Sequence, residues 1–435
     1  MIKQGLLFTL ALVIFTSVFA QVPAPGKAQS EPIAIMNATA HLGNGEVIEN
    51  SIVTFENGKI TQVADATASK VDLTGYKQID AKGKHVYPGL ILALSKLGLV
   101  EINAVRATRD YAETGNIKPH VRTAIAYNTD SEVIPTMKFN GIQIVQVAPV
   151  GGLIEGTSSV MQLDAWNWED ALYREDDGIH INWPSISYGP RWWLGETARR
   201  ANKDYEKQTE ELVDLIADTK SYMESMPASK NLILEAMIPV LKGEKSAYMY
   251  ANGAQEIIDG VQTLREAGIK KVVVVGAKDV WAAKDLLKEF DIPVLLDNIH
   301  RRPYRTDEDV DWPYRLAGEL DKAGILVGLT SSSGDVSSSR NLPFYAGTVA
   351  AYGVDPEVAL KMITSNTAKI LEIDTKTGTL EEGKDANIVI STGDLLDMRT
   401  NNVEYSFIQG REVNLEAHQQ RLYQKFKEKY EDQMK

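Results

Sequence analysis

Between residues 141 and 331, short apolar runs recur, separated by stretches whose apolar residues fall three and four apart. The runs are GIQIVQVAP (141–149), NLILEAM (231–237), SAYMYA (246–251), KKVVVVGA (270–277), IPVLLDN (292–298) and ILVGLTS (325–331). Most are apolar at consecutive positions, the pattern of parallel strands buried on both faces. Between them, AQEIIDGVQTLREAG, KDVWAAKDLLKEF and PYRLAGELDKAG read as helices; in the first, Ile257, Val261 and Leu264 share a face and Gly268 supplies the stop. Alternating strand and helix over this length predicts an α/β fold, a (β/α)8 barrel.

The two ends have a different texture. IAIMNATAHL, SIVTFENGKITQVA and YKQIDAKGKHVYPG are short β-type runs with a turn at ENGK, and similar runs return in GTLEEGKDANIVIST and VEYSFIQGREV (378–413). The expectation is a composite β-sandwich from 33–87 and 378–418, a barrel from 88–377 between its halves, and a helix or tail over 419–435. One region breaks the alternation: an aromatic-rich insertion over about 166–226 holds five of the seven tryptophans and a long polar helix with Leu212, Ile216, Thr219 and Met223 as its seam. Trp192 and Trp193 either line a ligand cleft or pin this insertion to the barrel.

Composition narrows the setting. A net charge of −13 argues against nucleic acid and anionic membrane as partners. Residues 1–20 read as a signal peptide: Lys3 is the only charge, an apolar stretch spans 6–19, and Val18 and Ala20 suit cleavage after Ala20. A Pro- and polar-rich leader follows over 21–32, read as flexible. The apolar stretch is short for a span, so no stable membrane anchor is expected after cleavage. Absence of cysteine removes disulfides, thiol nucleophiles and Cys-based zinc sites, and fits a periplasmic or secreted protein.

Three segments carry a family resemblance: HVYPGLI (85–91), PVGGLIEGTSSVMQLDAWNWEDA (149–171), and the long stretch from RNLPFYAG to DANIVI (340–390), where a helix with Thr364, Asn366 and Ala368 leads into a Gly-x-Leu-x-x-Gly-Lys-x-Ala-Asn hairpin. With these the chain resembles the amidohydrolase superfamily, and within it secreted, imidazolonepropionase-like members. The resemblance implies a distorted barrel with a composite β-sandwich. It also implies hydrolysis of carbon–nitrogen bonds other than peptide bonds, by one or two divalent metals, zinc being the norm. The implied ligands are two histidines on the first strand, one each on the fifth and sixth, an aspartate on the eighth, and in binuclear members a carboxylated lysine on the fourth. At the matching positions this chain has Leu94, Lys96, Tyr250, Val275 and Ser332, with Ser331 the less favoured alternative to Ser332. Leu and Val offer no lone pair, and a protonated lysine repels a cation. No metal cofactor is therefore expected.

The remaining candidates for chemistry are Lys96, Tyr250, His300, Ser332 and Asp335. Lys96 reads as a structural ion pair, a charge standing where the metal's would, or a base or Schiff-base nucleophile. Tyr250 reads as a packed phenol or a general acid. Of the six histidines, His41, His85 and His418 fall in the β module or tail, His120 and His180 in loops, and His300 after a strand with Asp297, Arg301 and Arg302; no two lie within five positions of each other. Two functions stay open. One is an exported, non-hydrolytic protein that binds a small molecule or assembles as a homo-oligomer or with an intact, metal-bearing relative. The other is an active hydrolase of cyclic amides with a relocated or metal-free site.

Overall fold

The structure is a computed structural model that describes residues 24–225, 227–332 and 336–434. The signal peptide and its cleavage point, and Asp335, lie outside the described residues. No helix among the described residues is long and apolar enough to cross a membrane.

From residue 24 the chain runs without regular structure to Gly26 and Gln29, whose polar groups are tied down. The Gly26 amide donates to Asp164 Oδ2 at 3.0 Å, and Gln29 Nε2 donates to the Phe55 carbonyl at 3.0 Å. This part of the leader is hydrogen-bonded to the body of the protein. Five strands follow: β1 (Ile33–His41), β2 (Val47–Glu56), β3 (Lys59–Asp65), β4 (Lys77–Asp80) and β5 (His85–Pro88).

The chain then builds a second eight-stranded sheet from β6 (Leu90–Ser95), β7 (Ile142–Val147), β8 (Ile154–Gln162) and β9 (Leu172–Asn182), and, after a small hairpin of β10 (Ser187–Tyr188) and β11 (Arg200–Ala201), from β12 (Ser246–Ala251), β13 (Val272–Gly276), β14 (Val294–Asp297) and β15 (Val327–Thr330). Neighbours pair in chain order, and the sheet curls until its ends meet, with Thr330 Oγ1 donating to the Ala93 carbonyl at 2.5 Å. All pairs are parallel except those of β8, which runs antiparallel to both β7 and β9. The barrel is thus a (β/α)8-like barrel with one reversed strand.

Residues alternate across these strands, and both faces are apolar. On β12, Ala247 and Met249 face the helical layer with Ile257, Val261 and Leu264, whereas Tyr248 turns into the barrel with Val273, Val275 and Leu295. Burying each such aliphatic side chain contributes about 1.5–3 kcal/mol against the entropy of ordering it.

The chain returns to the first sheet with β16 (Ile388–Ser391), β17 (Val403–Ile408) and β18 (Arg411–Glu412). The order is β18-β17-β16-β5-β1-β2-β3, with β4 on β1, so β16 pairs antiparallel with β5 and the two chain ends share one sheet. A chain of side chains ties this sheet to the barrel's helices: Glu357 Oε1 lies 2.6 Å from His41 Nδ1, and His41 Nε2 lies 3.0 Å from His85 Nδ1. The last helix is His418–Met434.

Four expectations need correction. NLILEAM is the start of a helix, Leu232–Lys242, because Asn231 caps it: its side chain accepts from Ile233 N at 3.1 Å and Leu234 N at 3.4 Å. The region 166–226 is not wholly an insertion, since β9 within it is a barrel strand. The long helix Tyr205–Ser225 buries Tyr222, not Met223, after Leu212, Ile216 and Thr219, because the Tyr222 hydroxyl donates to Glu235 on the next helix at 2.9 Å. His180 lies on β9, fully buried, rather than in a loop.

Candidate active site

Parallel strands of a barrel deliver their carboxyl ends to one face, where loops and side chains converge. Here that face begins with a backbone irregularity. On β6, Ile91 and Ala93 point into the barrel, and strict alternation would send Leu94 outward. Leu94 instead has φ 58°, the pairing with β7 shifts between Leu92 and Ser95, and the Leu94 amide donates to Gln146 Oε1 at 3.1 Å. The left-handed conformation costs a leucine roughly 1–2 kcal/mol. In exchange its side chain joins the interior cluster with Tyr248, Val275 and Leu295. Two neighbouring strand ends carry the same signature, Ala277 at φ 54° after β13 and Asn298 at φ 49° after β14.

Inside, polar groups form two joined sets. Asp177, fully buried on β9, accepts from Tyr248 Oη at 2.7 Å, Gln146 Nε2 at 2.7 Å and Ser158 Oγ at 2.8 Å. Burial raises its pKa, against the pull of those donors. His180, two residues past Gly178 on the same inward face, stacks on Tyr248 with centroids 4.9 Å apart, and its Nδ1 lies 2.9 Å from Tyr250 Oη. Its Nε2 is buried without a hydrogen-bond partner. Burial pushes the imidazole down to about 3 and the Tyr250 phenol well above its ordinary value, with the charges of Glu155, Asp297 and Asp177 adding to the latter.

Above these lies the start of β8. Being antiparallel, β8 brings its first residues to this same face. Glu155 is nearly buried, and its Oε1 accepts the Gly151 amide at 3.0 Å. Lys118, also buried, donates to the Gly151 carbonyl at 2.5 Å and to the Glu113 carbonyl at 3.0 Å. The two peptide units flanking Gly151, in a turn where Gly151 and Gly152 both have positive φ, are therefore each held by one of these side chains. Burial raises Glu155 to about 7, opposed by the Gly151 amide and Lys118, and lowers Lys118.

The residues singled out from the sequence scatter across this face. Tyr250 lies in the barrel bonded to His180. Leu94 and Val275 are buried in the apolar interior cluster. Lys96 is half-buried at the end of β6, with Nζ 5.3 Å from the Tyr111 ring centre. The Ser332 amide donates to Asp297 Oδ1 at 2.7 Å, and Ser331 is buried with Oγ 3.4 Å from Tyr345 Oη. His300 does not turn toward Asp297: its Nε2 lies 2.7 Å from Thr348 Oγ1, its ring packs on Tyr345 at 4.5 Å, and it lines a separate open groove of about 570 Å³ with Phe344, Tyr352 and Met398. Trp192 and Trp193 are exposed, and the buried Trp183 is the one that pins its segment, donating to Tyr205 Oη at 3.2 Å.

Sequence reading missed His180, Glu155, Lys118 and Asp177. A signal existed in GIHIN, where an isolated polar residue sits between two isoleucines, the alternation of a strand with one apolar face. The charged run before it masked the strand.

Two sheets joined by the chain ends, and a face of converging strand ends, define a (β/α)8-like barrel with a composite β-sheet domain. Residues 314–413 match the amidohydrolase family. Over most of its length the chain has a fold similar to that of solved amidohydrolases. An amidohydrolase from Thermotoga maritima superposes with a TM-score of 0.77 over 88% of this chain and 99% of its own, at 24% identity. A Xaa-Pro dipeptidase with bound methionine (TM-score 0.55, 13% identity, 88% and 100% covered) and molinate hydrolase (TM-score 0.54, 15% identity, 90% and 95% covered) share it more loosely. No curated protein matches the chain.

The amidohydrolase resemblance implies a divalent metal, and the chemistry of the residues that it puts at the ligand positions can be set against one. Leu94 and Val275 are carbon surfaces packed against each other's cluster, and the Tyr250 phenol is kept protonated and engaged with His180. Among the described residues, no group of three or more His, Cys, Asp or Glu is arranged to hold a metal ion.

Proposed function

We propose that this chain is an amidohydrolase-fold protein that works without the family's metal, as a binder of a small molecule at the carboxyl-end face of its barrel. The observation that carries this reading is the packing of Leu94 and Val275 inside the barrel, with Tyr250 hydrogen-bonded to His180. Apolar side chains and a neutral phenol–imidazole pair occupy the interior where ligands to a cation would converge. Leaving a bare divalent ion among such groups would cost several kcal/mol in desolvation. The ligand then meets the rim above this interior, formed by the strand ends and the loops that follow them. Export past the inner membrane, and assembly with itself or with an intact relative, belong to the same proposal.

One feature favours a second reading, a metal-free hydrolase. Glu155 is a buried carboxyl raised to about 7, the range in which a single group both gives and takes a proton near neutral pH. One protocol separates the two. Purified full chain is dialysed against zinc at pH 7, and bound metal is counted by mass spectrometry. Hydrolysis of a panel of cyclic amides is then assayed with and without chelator. The binding reading expects less than a tenth of a zinc per chain and no turnover. Tightly held zinc at the barrel mouth overturns both readings. Chelator-resistant turnover that Glu155→Gln abolishes establishes the second.

A further inference from the structure

Resting on the reading of this chain as a ligand-binding barrel, the structure points to the class of ligand: we propose that the rim cavity beside β9 binds a neutral sugar. This cavity, of about 320 Å³, opens at the carboxyl end of β9 and is lined by Asn116, Asn182, Trp183, Ser185, Tyr188 and Gln208, among others. Its floor adjoins the interior pair, since Asn182 pairs in register with Tyr250 and the Trp183 amide donates to the Tyr250 carbonyl at 3.1 Å. Its size is at the lower end of the roughly 300–1,000 Å³ typical of small-molecule sites.

The lining decides the chemistry. No Asp, Glu, Lys, Arg or His side chain borders the cavity among the described residues. A charged ligand would find no counter-charge in the lining itself, the Arg200 guanidinium lying outside it, 5.9 Å from the Tyr188 ring centre, and burying such a ligand unpaired would be unfavourable. The amides are already half committed, and in the same sense. Asn116 Oδ1 accepts the Leu153 amide at 3.1 Å, and Gln208 Oε1 accepts from Asn202 Nδ2 at 2.9 Å. What each keeps is its NH2 group, two donors apiece, beside one remaining lone pair on the oxygen. A ligand must therefore present oxygen acceptors at several points while remaining uncharged, as sugar hydroxyls and ring oxygens do.

The third requirement of a sugar is a flat apolar surface for its C–H face. Tyr188 borders the cavity and is 44% exposed, and the loop it opens, between β10 and β11, carries Trp192 and Trp193 at 78% and 64% exposure. These two indoles, set edge to face at 5.8 Å, offer exposed aromatic faces on that loop. The sequence alone left these tryptophans undecided between cleft and anchor. Trp183 takes the anchoring role, and Trp192 and Trp193 are free for contact along a longer chain of sugars.

The test is titration of the full chain with chitotetraose, cellotetraose and maltotetraose, and with a neutral N-acetyl dipeptide amide as the competing class, read by calorimetry and tryptophan fluorescence. Expected is millimolar or tighter binding of at least one glycan, indifferent to chelator. Asn182→Ala should weaken that binding at least fivefold, and Tyr188→Ala at least tenfold. Asn182 and Tyr188 are exposed, so both variants keep the fold, which near-ultraviolet circular dichroism checks. The proposal falls if none of the glycans binds at 5 mM, if only the peptide binds, or if binding survives both substitutions. Its failure leaves the metal-free reading standing, since that reading is decided by zinc stoichiometry.

Discussion

His180 is an imidazole in the wrong solvent. Fully buried, with Nε2 unpartnered, it is held neutral, and its folded-state pKa of about 3 lies far below the ordinary 6.5. The sign follows from linkage: between these two values the unfolded chain binds a proton that the folded chain refuses. The contribution is therefore complete above pH 6.5 and is lost as pH falls toward 3, amounting to about 5 kcal/mol across the window. Asp177 and Glu155, both raised, act in the opposite direction in the same acid range. Comparison with His180→Phe isolates the imidazole. Urea unfolding at pH 6, 5 and 4 should show the wild-type protein losing about 1.4 kcal/mol more per pH unit than the variant. Equal slopes would mean that the imidazole is not buried neutral.

At the scale of elements, the end of β6 is where sequence and structure part most informatively. Alternation read from the sequence puts Ile91 and Ala93 inside, and it cannot foresee that a left-handed residue re-aims Leu94 into the same cluster. This gives a prediction with two competing terms. Leu94→Ala loses the buried side chain, about 2–5 kcal/mol, and keeps the strained φ. Leu94→Gly loses the same contacts and relieves the strain. In an ordinary strand Gly is the worse of the two by roughly 0.5–1 kcal/mol; here Gly should be as stable as Ala or better by thermal unfolding. What was legible in the sequence followed the same logic. Runs buried on both faces, such as those of β12 to β15, announce themselves as parallel strands. The reversed β8, and β9 behind its charged run, do not, because their identity depends on which neighbours they meet. The Leu232–Lys242 helix was lost to a local ambiguity that Asn231, as a cap, resolves. The candidate site suffered most. Residue types at five positions were readable, but Glu155, Lys118 and His180 come together only through the reversed strand.

Across the whole molecule, the barrel and the composite sheet are joined at close quarters. Gln143 on β7 sends its Nε2 to the Ile388 carbonyl at 3.0 Å and to Ser406 Oγ at 2.8 Å, on β16 and β17. Gly89, between β5 and β6, has room for nothing more: a Cβ there would lie 2.0 Å from Gln143 Oε1. Gly89→Ala should displace that amide and leave buried acceptors unsatisfied, costing about 2–4 kcal/mol in a denaturant titration. Adding Gln143→Ala should recover part of the loss, a coupling that independent sites would not show.

The shared sheet also sets an order of events in biosynthesis. Tyr87 approaches Asp394 from 307 residues away, and β5 finds its antiparallel neighbour only in β16. While the ribosome is still adding the last residues, β5 has an open edge where β16 will lie, and the most distant contacts carry the largest loop-closure penalty. Such a chain closes its composite sheet only after its final strands emerge, long after the last barrel strand has been made at Thr330.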